Sequence, residues 1–181
     1  MSTQFQRVTP VSLPQESGIA KTYASPNLVD AYMIELPSGA SVNPELLALF
    51  IFSQQAPWVS SLMAVRDAVV GRFGLKTAKQ LTSLKAESKT GRVGIFKIYG
   101  TSPVEVVLGE DDKHLDFRLS VLCSGSPSPG GKRHLTLSTV VRCHNRMGCL
   151  YIFVIAPFHR LVIQSSLRRA ARIGWPLATG P

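Results

Sequence analysis

Two cysteines and a histidine lie within the stretch RCHNRMGC, 142–149, and thiols and imidazoles are the side chains that bind soft metals or exchange disulfides. Structural zinc sites usually present ligand pairs such as CxxC. Cys143 and Cys149 are instead separated by a longer spacer, with His144 beside the first, and the sequence offers no second half-site. This spacing predicts no metal site, and we expect no cofactor.

The same stretch fits the loop of a β-hairpin. Cys143 placed opposite Cys149 brings Val141 opposite Tyr151, so that the inward residues of two neighbouring strands share one face. The stretch CLYIFVI, 149–155, is then the last strand. Whether the facing thiols are ever oxidised stays open, although an odd total of three cysteines argues for reduced thiols.

A second chemical candidate is the acidic stretch GEDDKHLDFR, 109–118. Glu110, Asp111 and Asp112 are carboxylates of the kind that bind hard cations, but the spacing of a calcium loop is absent. The pattern favours a solvated hairpin tip, with Asp116 and Arg118 on the outer face of the sheet.

The elements that position these residues follow from periodicity. Alternation of apolar and polar residues predicts strands at 30–36, 93–100, 104–109, 115–123, 135–143 and 149–155. Asn43 and Pro44 are suited to start a first helix, and an apolar stripe predicts a second helix at 58–74. We expect a linker at 75–92 and a long final helix that begins at Pro157 and ends at Gly174.

This order of elements predicts an α+β domain with an antiparallel sheet of about six strands. Clean alternation indicates that helices cover one face of the sheet and that water contacts the other. The predicted organisation is an irregular N-terminal arm at 1–27, one domain at 28–174 and a C-terminal tail at 175–181.

The order resembles the helix-grip fold of the START and Bet v1-like superfamily, which includes polyketide cyclases. In that fold two short helices follow the first strand, and a long C-terminal helix closes over a curved antiparallel sheet. The phrases at 57–76, 108–121 and 155–169 look more specifically like an uncharacterised bacterial family of unknown function. The resemblance implies a cavity between sheet and helix, and an association with short-chain dehydrogenase-like domains.

Alternation and resemblance together predict a pocket between the sheet and the C-terminal helix. Its apolar lining would bind a small hydrophobic or aromatic molecule, and the Thr139 and Tyr151 hydroxyls would orient it, unless both are ordinary satisfied core groups. The predicted lining is Phe96, Ile98, Phe117, Leu119, Thr139, Val141, Tyr151, Phe153, Val162 and Ser166.

Two other function classes stay open. A cyclase, dehydratase or isomerase would use the same cavity, and His159 at the start of the last helix could be its general base. The alternation, however, predicts no carboxylate on the inner face. An interaction or regulatory module partnering a dehydrogenase-like protein would present an exposed apolar patch over a filled core.

Charge and hydropathy restrict the partners and the compartment. The net charge is +9 and the pI is 9.9, but the positive residues are scattered apart from LRRAAR at 167–172, so we expect no nucleic-acid partner. The apolar runs at 46–52 and 149–158 are too short to span a bilayer. With no signal peptide apparent, the sequence predicts a soluble cytoplasmic domain of open oligomeric state.

Overall fold

The computed structural model describes residues 7–54, 56–59, 61, 62, 64, 91–125 and 131–178, and seven strands form one antiparallel sheet in it. The strands are β1 Thr9–Pro10, β2 Leu28–Leu36, β3 Arg92–Val93, β4 Phe96–Thr101, β5 Glu105–Asp111, β6 Leu115–Gly125 and β7 Arg133–Cys143. Their order across the sheet is β1-β2-β7-β6-β5-β4-β3. The described residues therefore confirm the predicted α+β class with an antiparallel sheet.

Two helices in the described residues have clear starting signals. Helix α1, Pro44–Ser53, has Asn43 as its N-cap, whose side chain accepts a hydrogen bond from the Leu46 N–H, and proline in its first turn, as predicted. Helix α2, Arg146–Ile173, begins after Asn145 and ends before Gly174. Residues 57–59, 61, 62 and 64 are also helical, and the rest of the second predicted helix and the predicted linker lie outside the described residues.

The predicted strand at 149–155 is wrong, because these residues form the first turns of α2. In a short apolar run, periodicity alone cannot distinguish a buried strand from a helix. The predicted hairpin loop at 144–148 is wrong for the same reason. The helix also does not begin at Pro157, which lies in its interior.

Loss of the strand at 149–155 leaves five of the six predicted strands, and two further differences bring the count to seven. The predicted strand at 93–100 is a tight hairpin of β3 and β4, because Gly94 adopts a positive φ of 61° that turns the chain. The short strand β1 pairs with β2 at one edge of the sheet. With only two residues it shows no alternation from which a strand could be predicted.

The two helices pack on one face of the sheet, which we call the covered face. Strand residues with even numbers on β2 and β5 point to it, as do odd-numbered residues on β6 and β7. The main core lies there, where Leu47 and Ile51 of α1 and Leu167 of α2 are fully buried against the sheet. Trp175 closes the same core beside Phe50, with ring centroids 6.2 Å apart.

The opposite face, which we call the second face, is covered by the N-terminal arm. Glu105 is 8% exposed, and its carboxylate accepts hydrogen bonds from the Ser17 hydroxyl, the Gly18 N–H and the Ser120 hydroxyl. Ser120 is fully buried and so is Ile19 of the arm. The prediction of a water-covered face is therefore wrong at the centre of this face, since the arm has no periodicity that would announce its packing.

The start of α2 fits against the sheet without room for a side chain. Gly148 lies so close to the end of the β5–β6 turn that a Cβ atom there would collide with the His114 carbonyl oxygen. We expect Gly148→Ala to lower the free energy of unfolding by about 2 kcal/mol through overpacking. Alanine normally stabilises a helix relative to glycine, so this sign distinguishes a packed helix start from a free loop.

Gly100→Ala is the matched control for urea denaturation, because a Cβ atom at Gly100 has no neighbour within 4 Å. An unchanged or raised stability of Gly148→Ala would contradict the described packing of α2.

The buried carboxylate of Glu105 generates a second prediction. Glu105→Ala leaves three donors without their acceptor, and we expect a loss of about 3 kcal/mol on urea denaturation. Glu16→Ala is the control, since Glu16 is an exposed carboxylate of the same arm. Equal stability of the two variants would show that the arm does not hold Glu105.

Candidate functional site

Four polar side chains meet on the covered face beneath the middle of α2. Asp30 on β2 and Thr139 on β7 are directly paired in the sheet. From the helix, His159 Nε2 lies 3.2 Å from Thr139 Oγ1, and Arg160 Nε donates to Asp30 Oδ1 at 3.1 Å. We call these four residues the polar cluster.

One atom of the polar cluster has no hydrogen-bond partner among the described residues. Asp30 Oδ2 is buried and unpaired, and the Asp30 side chain as a whole is 9% exposed. A buried acceptor without a donor costs about 1–3 kcal/mol. The site can therefore accept a hydrogen bond from a group that the described residues do not supply.

The electrostatics of the polar cluster favour a neutral imidazole. Burial lowers the pKa of His159 because it removes water from the charged form, and the nearby Asp30 carboxylate only partly opposes this shift. Arg160 acts in the same direction as burial. A neutral imidazole can act as a proton acceptor or polarise a bound hydroxyl.

The prediction that the inner face carries no carboxylate is wrong. Asp30 is two residues before Tyr32 and four before Ile34, so strict alternation along β2 places its side chain on the same face. Glu110 shares this face because it pairs with Phe117. Glu110 forms an ion pair with Arg92 at 3.2 Å, and both side chains are nearly buried.

Between these charged groups lies an apolar floor. Phe117 and Leu119 on β6 and Val141 on β7 form its centre. The Phe96 ring contacts the Phe117 ring edge to face, with centroids 5.9 Å apart, and contacts the Phe52 ring at 5.2 Å. Glu110 and Asp30 are three strands apart, a span of about 14 Å at ordinary strand spacing.

The structure brings together most of the predicted pocket lining. Six residues share the covered face of the sheet, namely Phe96, Ile98, Phe117, Leu119, Thr139 and Val141. From α2, Tyr151 packs against the small buried cluster that contains Val141, while Val162 is half-buried and Ser166 is buried. Phe153 is 80% exposed and points away from the sheet. Whether the others line a ligand pocket stays a prediction.

Sequence reasoning missed how Thr139 is paired. The predicted hairpin paired Thr139 with Phe153 and Val141 with Tyr151, and so turned the Thr139 and Tyr151 hydroxyls to the same face of the sheet. The structure instead places Tyr151 on the helix and brings His159 to Thr139. The signal that could have found this pairing is helical spacing, because Ile152, His159 and Ile163 recur on one helix face.

The stretch RCHNRMGC starts a helix. The Asn145 side chain accepts a hydrogen bond from the Gly148 N–H at 3.1 Å and so caps α2. Cys143 and Cys149 are free thiols, and burial together with a hydrogen bond to Cys149 raises the pKa of Cys143 to about 12. His144 Nε2 lies 2.9 Å from Asp116 Oδ2.

The acidic turn separates its carboxylates instead of clustering them. Asp111 pairs with Arg118 at 2.7 Å on the second face and accepts a hydrogen bond from the Tyr99 hydroxyl. Arg118 also lies over the Tyr99 ring. The predicted location of Asp116 and Arg118 away from the covered face is confirmed by the strand register. Across 7–54, 91–125 and 131–178 no group of three or more metal-binding side chains converges.

A surface cleft of about 400 Å³ lies elsewhere, at the start of α1. It is lined by Val42, Asn43, Pro44, Glu45, Thr101, Ser102 and Pro103, and it includes none of the predicted pocket residues. Glu45 already accepts a hydrogen bond from Thr101 there.

The family described as proteins of unknown function, DUF2867, matches residues 22–166. This match covers most of the chain and includes strands β2 to β7 and the polar cluster, and the chain belongs to that family. The predicted membership of a family of unknown function is thereby confirmed. No curated protein and no solved structure matches the chain.

The lowered pKa of His159 generates a prediction on pH. In the unfolded chain the His159 imidazole binds a proton near pH 6.5, whereas in the folded chain it binds one only at lower pH. Protonation of His159 therefore favours unfolding. The stability of the wild-type protein should therefore fall as the pH falls from about 6.5 towards the lower pKa of the folded state. His159→Gln should remove this part of the slope in urea denaturation measured across pH.

His134→Gln, on the same sheet, is the control and should keep the wild-type slope. Parallel pH profiles for the wild type and His159→Gln would contradict a buried neutral His159.

Proposed function

We propose that this member of the DUF2867 family binds a small apolar or aromatic molecule between the covered face of the sheet and α2, as in the helix-grip fold of START and Bet v1-like proteins. The observation that carries the proposal is the unpaired Oδ2 of Asp30. A ligand with an N–H or O–H group could donate to this atom and remove the cost of leaving it unsatisfied.

The surroundings of Asp30 support a mostly apolar ligand. Small-molecule sites are lined mainly by apolar side chains, with a few polar groups that fix orientation. Leu119 and Val141 are buried, at 4% and 3% exposed, and form the apolar base of the site, while the half-buried Phe117 and Tyr151 are side chains that a ligand could contact. Phe96 and Phe117 are half-buried, so their rings still have surface that a ligand could cover.

The charged groups at the two sides of the floor would fix the ligand's direction. The Asp30–Arg160 pair lies on the β2 side, and the Arg92–Glu110 pair lies on the β5 side. A planar molecule with a donor at one end could satisfy Asp30 while its body rests on Phe117. The odd total of three cysteines in the sequence supports a reducing compartment, and we infer the cytoplasm.

An enzyme of isomerase or dehydratase type is the second candidate, and the polar cluster favours it. A neutral His159 could take a proton from the bound molecule, and the Asp30 carboxylate would then stabilise the imidazolium that forms. The imidazolium proton exchanges with water, and delivery of a proton from the imidazolium to another atom of the molecule completes an isomerisation. Thr139 would hold the imidazole ring in position, since its hydroxyl lies 3.2 Å from Nε2.

A thermal-shift screen with aromatic and fatty molecules, some with and some without an amine or hydroxyl group, tests ligand binding. We expect donor-bearing aromatic molecules to raise the wild-type melting temperature, and Asp30→Asn to weaken their binding about tenfold or more, as loss of one charged hydrogen bond does. Glu35→Gln is the control, because Glu35 lies on the same strand but on the other face.

The outcomes separate binding from catalysis. Equal shifts for Asp30→Asn and the wild type, or no shift with any molecule, would contradict the proposed site. If a molecule binds, incorporation of solvent deuterium into it that is lost in His159→Gln would favour the enzyme, and binding without exchange would favour a binding protein.

A further inference from the structure

The outer side of α2 is apolar along its first half. Its side chains turn away from the sheet at helical spacings of three or four residues, and they remain exposed, with Leu150 at 58%, Phe153 at 80% and Leu161 at 56%. We call this set the outer stripe; it consists of Met147, Leu150, Phe153, Val154, Phe158 and Leu161. Contiguous apolar patches of this kind mark interaction sites.

The same side of α2 becomes cationic along its second half. Arg168 and Arg172 continue the line of the outer stripe at spacings of seven and eleven residues from Leu161, and Arg169 lies beside them. All three are exposed. The helix contains no aspartate or glutamate between 146 and 173. Its outer side is therefore apolar followed by positive, without any acidic side chain.

By length and composition alone α2 is long and apolar enough to cross a membrane, and only 11% of an apolar stretch of 18 residues within it is buried. The apolar run at 149–158, predicted to be too short to span a bilayer, lies within this longer helix, which continues through Pro157. Yet both ends of α2 pack on the sheet, at Gly148 and at Ala170. Crossing a bilayer would expose the core that these ends cover, so the helix is held along the sheet.

We propose that the outer side of α2 binds an anionic membrane surface, with the outer stripe in the acyl boundary and Arg168, Arg169 and Arg172 at the lipid phosphates. A helix lying in the interface buries its apolar side chains and pairs its cationic ones with anionic headgroups. The net charge of +9 adds a general attraction to such a surface. This binding goes beyond the proposed ligand site, which lies on the opposite side of the same helix.

Charge favours a lipid surface over a second copy of this chain. Packing two α2 helices along their outer stripes would bury apolar area, but neither helix has an acidic residue to pair with the arginines of the other. A parallel pair would oppose like charges, which costs free energy, and an antiparallel pair would leave the arginines without a negative partner. An anionic bilayer offers both an apolar layer and negative charge, and so matches both halves of the outer side.

Vesicle flotation of the full chain tests the proposal. We expect flotation with vesicles of phosphatidylcholine mixed with about 30% phosphatidylglycerol, and little with phosphatidylcholine alone. Phe153→Asp should weaken binding about tenfold or more, because it places a charge where an apolar side chain inserts. Arg168→Glu combined with Arg172→Glu should weaken it too, and high salt should mimic that change.

Val104→Asp is the matched control, since Val104 is 52% exposed on the β4–β5 turn and away from α2. It should float like the wild type. Absence of flotation with either vesicle, or equal flotation with both, would overturn the proposal.

Light scattering after size exclusion completes the test. A dimer that Phe153→Asp dissociates, without vesicle binding by the wild type, would overturn the proposal in favour of a second copy. A large fall in the melting temperature of Phe153→Asp in the absence of lipid would also overturn it, because it would mean that the chain itself packs on the outer stripe.

Discussion

The contact between the start of α2 and the sheet determines what the rest of the molecule can do. Asn145 caps the helix, and Gly148 lies directly against the His114 carbonyl. These two contacts fix the rotation of the helix about its axis. Because residues eleven apart return to nearly the same side of a helix, the rotation that buries Gly148 also carries His159 to Thr139. The same rotation turns Phe153 away from the sheet.

Much of the sheet could be predicted from the sequence, because alternation reports which residues a strand buries. The strands near 115–123 and 135–143 alternate clearly, and the structure pairs them along their full length. That register determines which of the predicted pocket residues on these two strands lie on the covered face of the sheet. The same rule applied strictly to β2 would have placed Asp30 on the covered face, but its charge suggested a solvated position. The Arg160 side chain that makes burial of this carboxylate possible is far away in the sequence, so only the structure shows the pair.

The wrong predictions of secondary structure arise where a short stretch of sequence is compatible with two conformations. CLYIFVI is a short apolar run that suits a strand or a helix, and Asn145 and Gly148 suit a loop or a helix start. Tertiary contact with His114 decides between these readings, and no local pattern records it. The N-terminal arm is a similar case. Its docking depends on Ser17 and Gly18 meeting the buried Glu105, a contact between segments far apart in the chain.

Helix α2 connects the two proposals, since its inner side carries the polar cluster and its outer side carries the apolar stripe. Both depend on one continuous helix in one rotation. The most direct measurement is an NMR spectrum that detects contacts between protons of the Thr139 methyl and nearby rings. The structure predicts a contact with the His159 ring and none with Phe153. A contact of Thr139 with Phe153 across two paired strands, and none with His159, would contradict it.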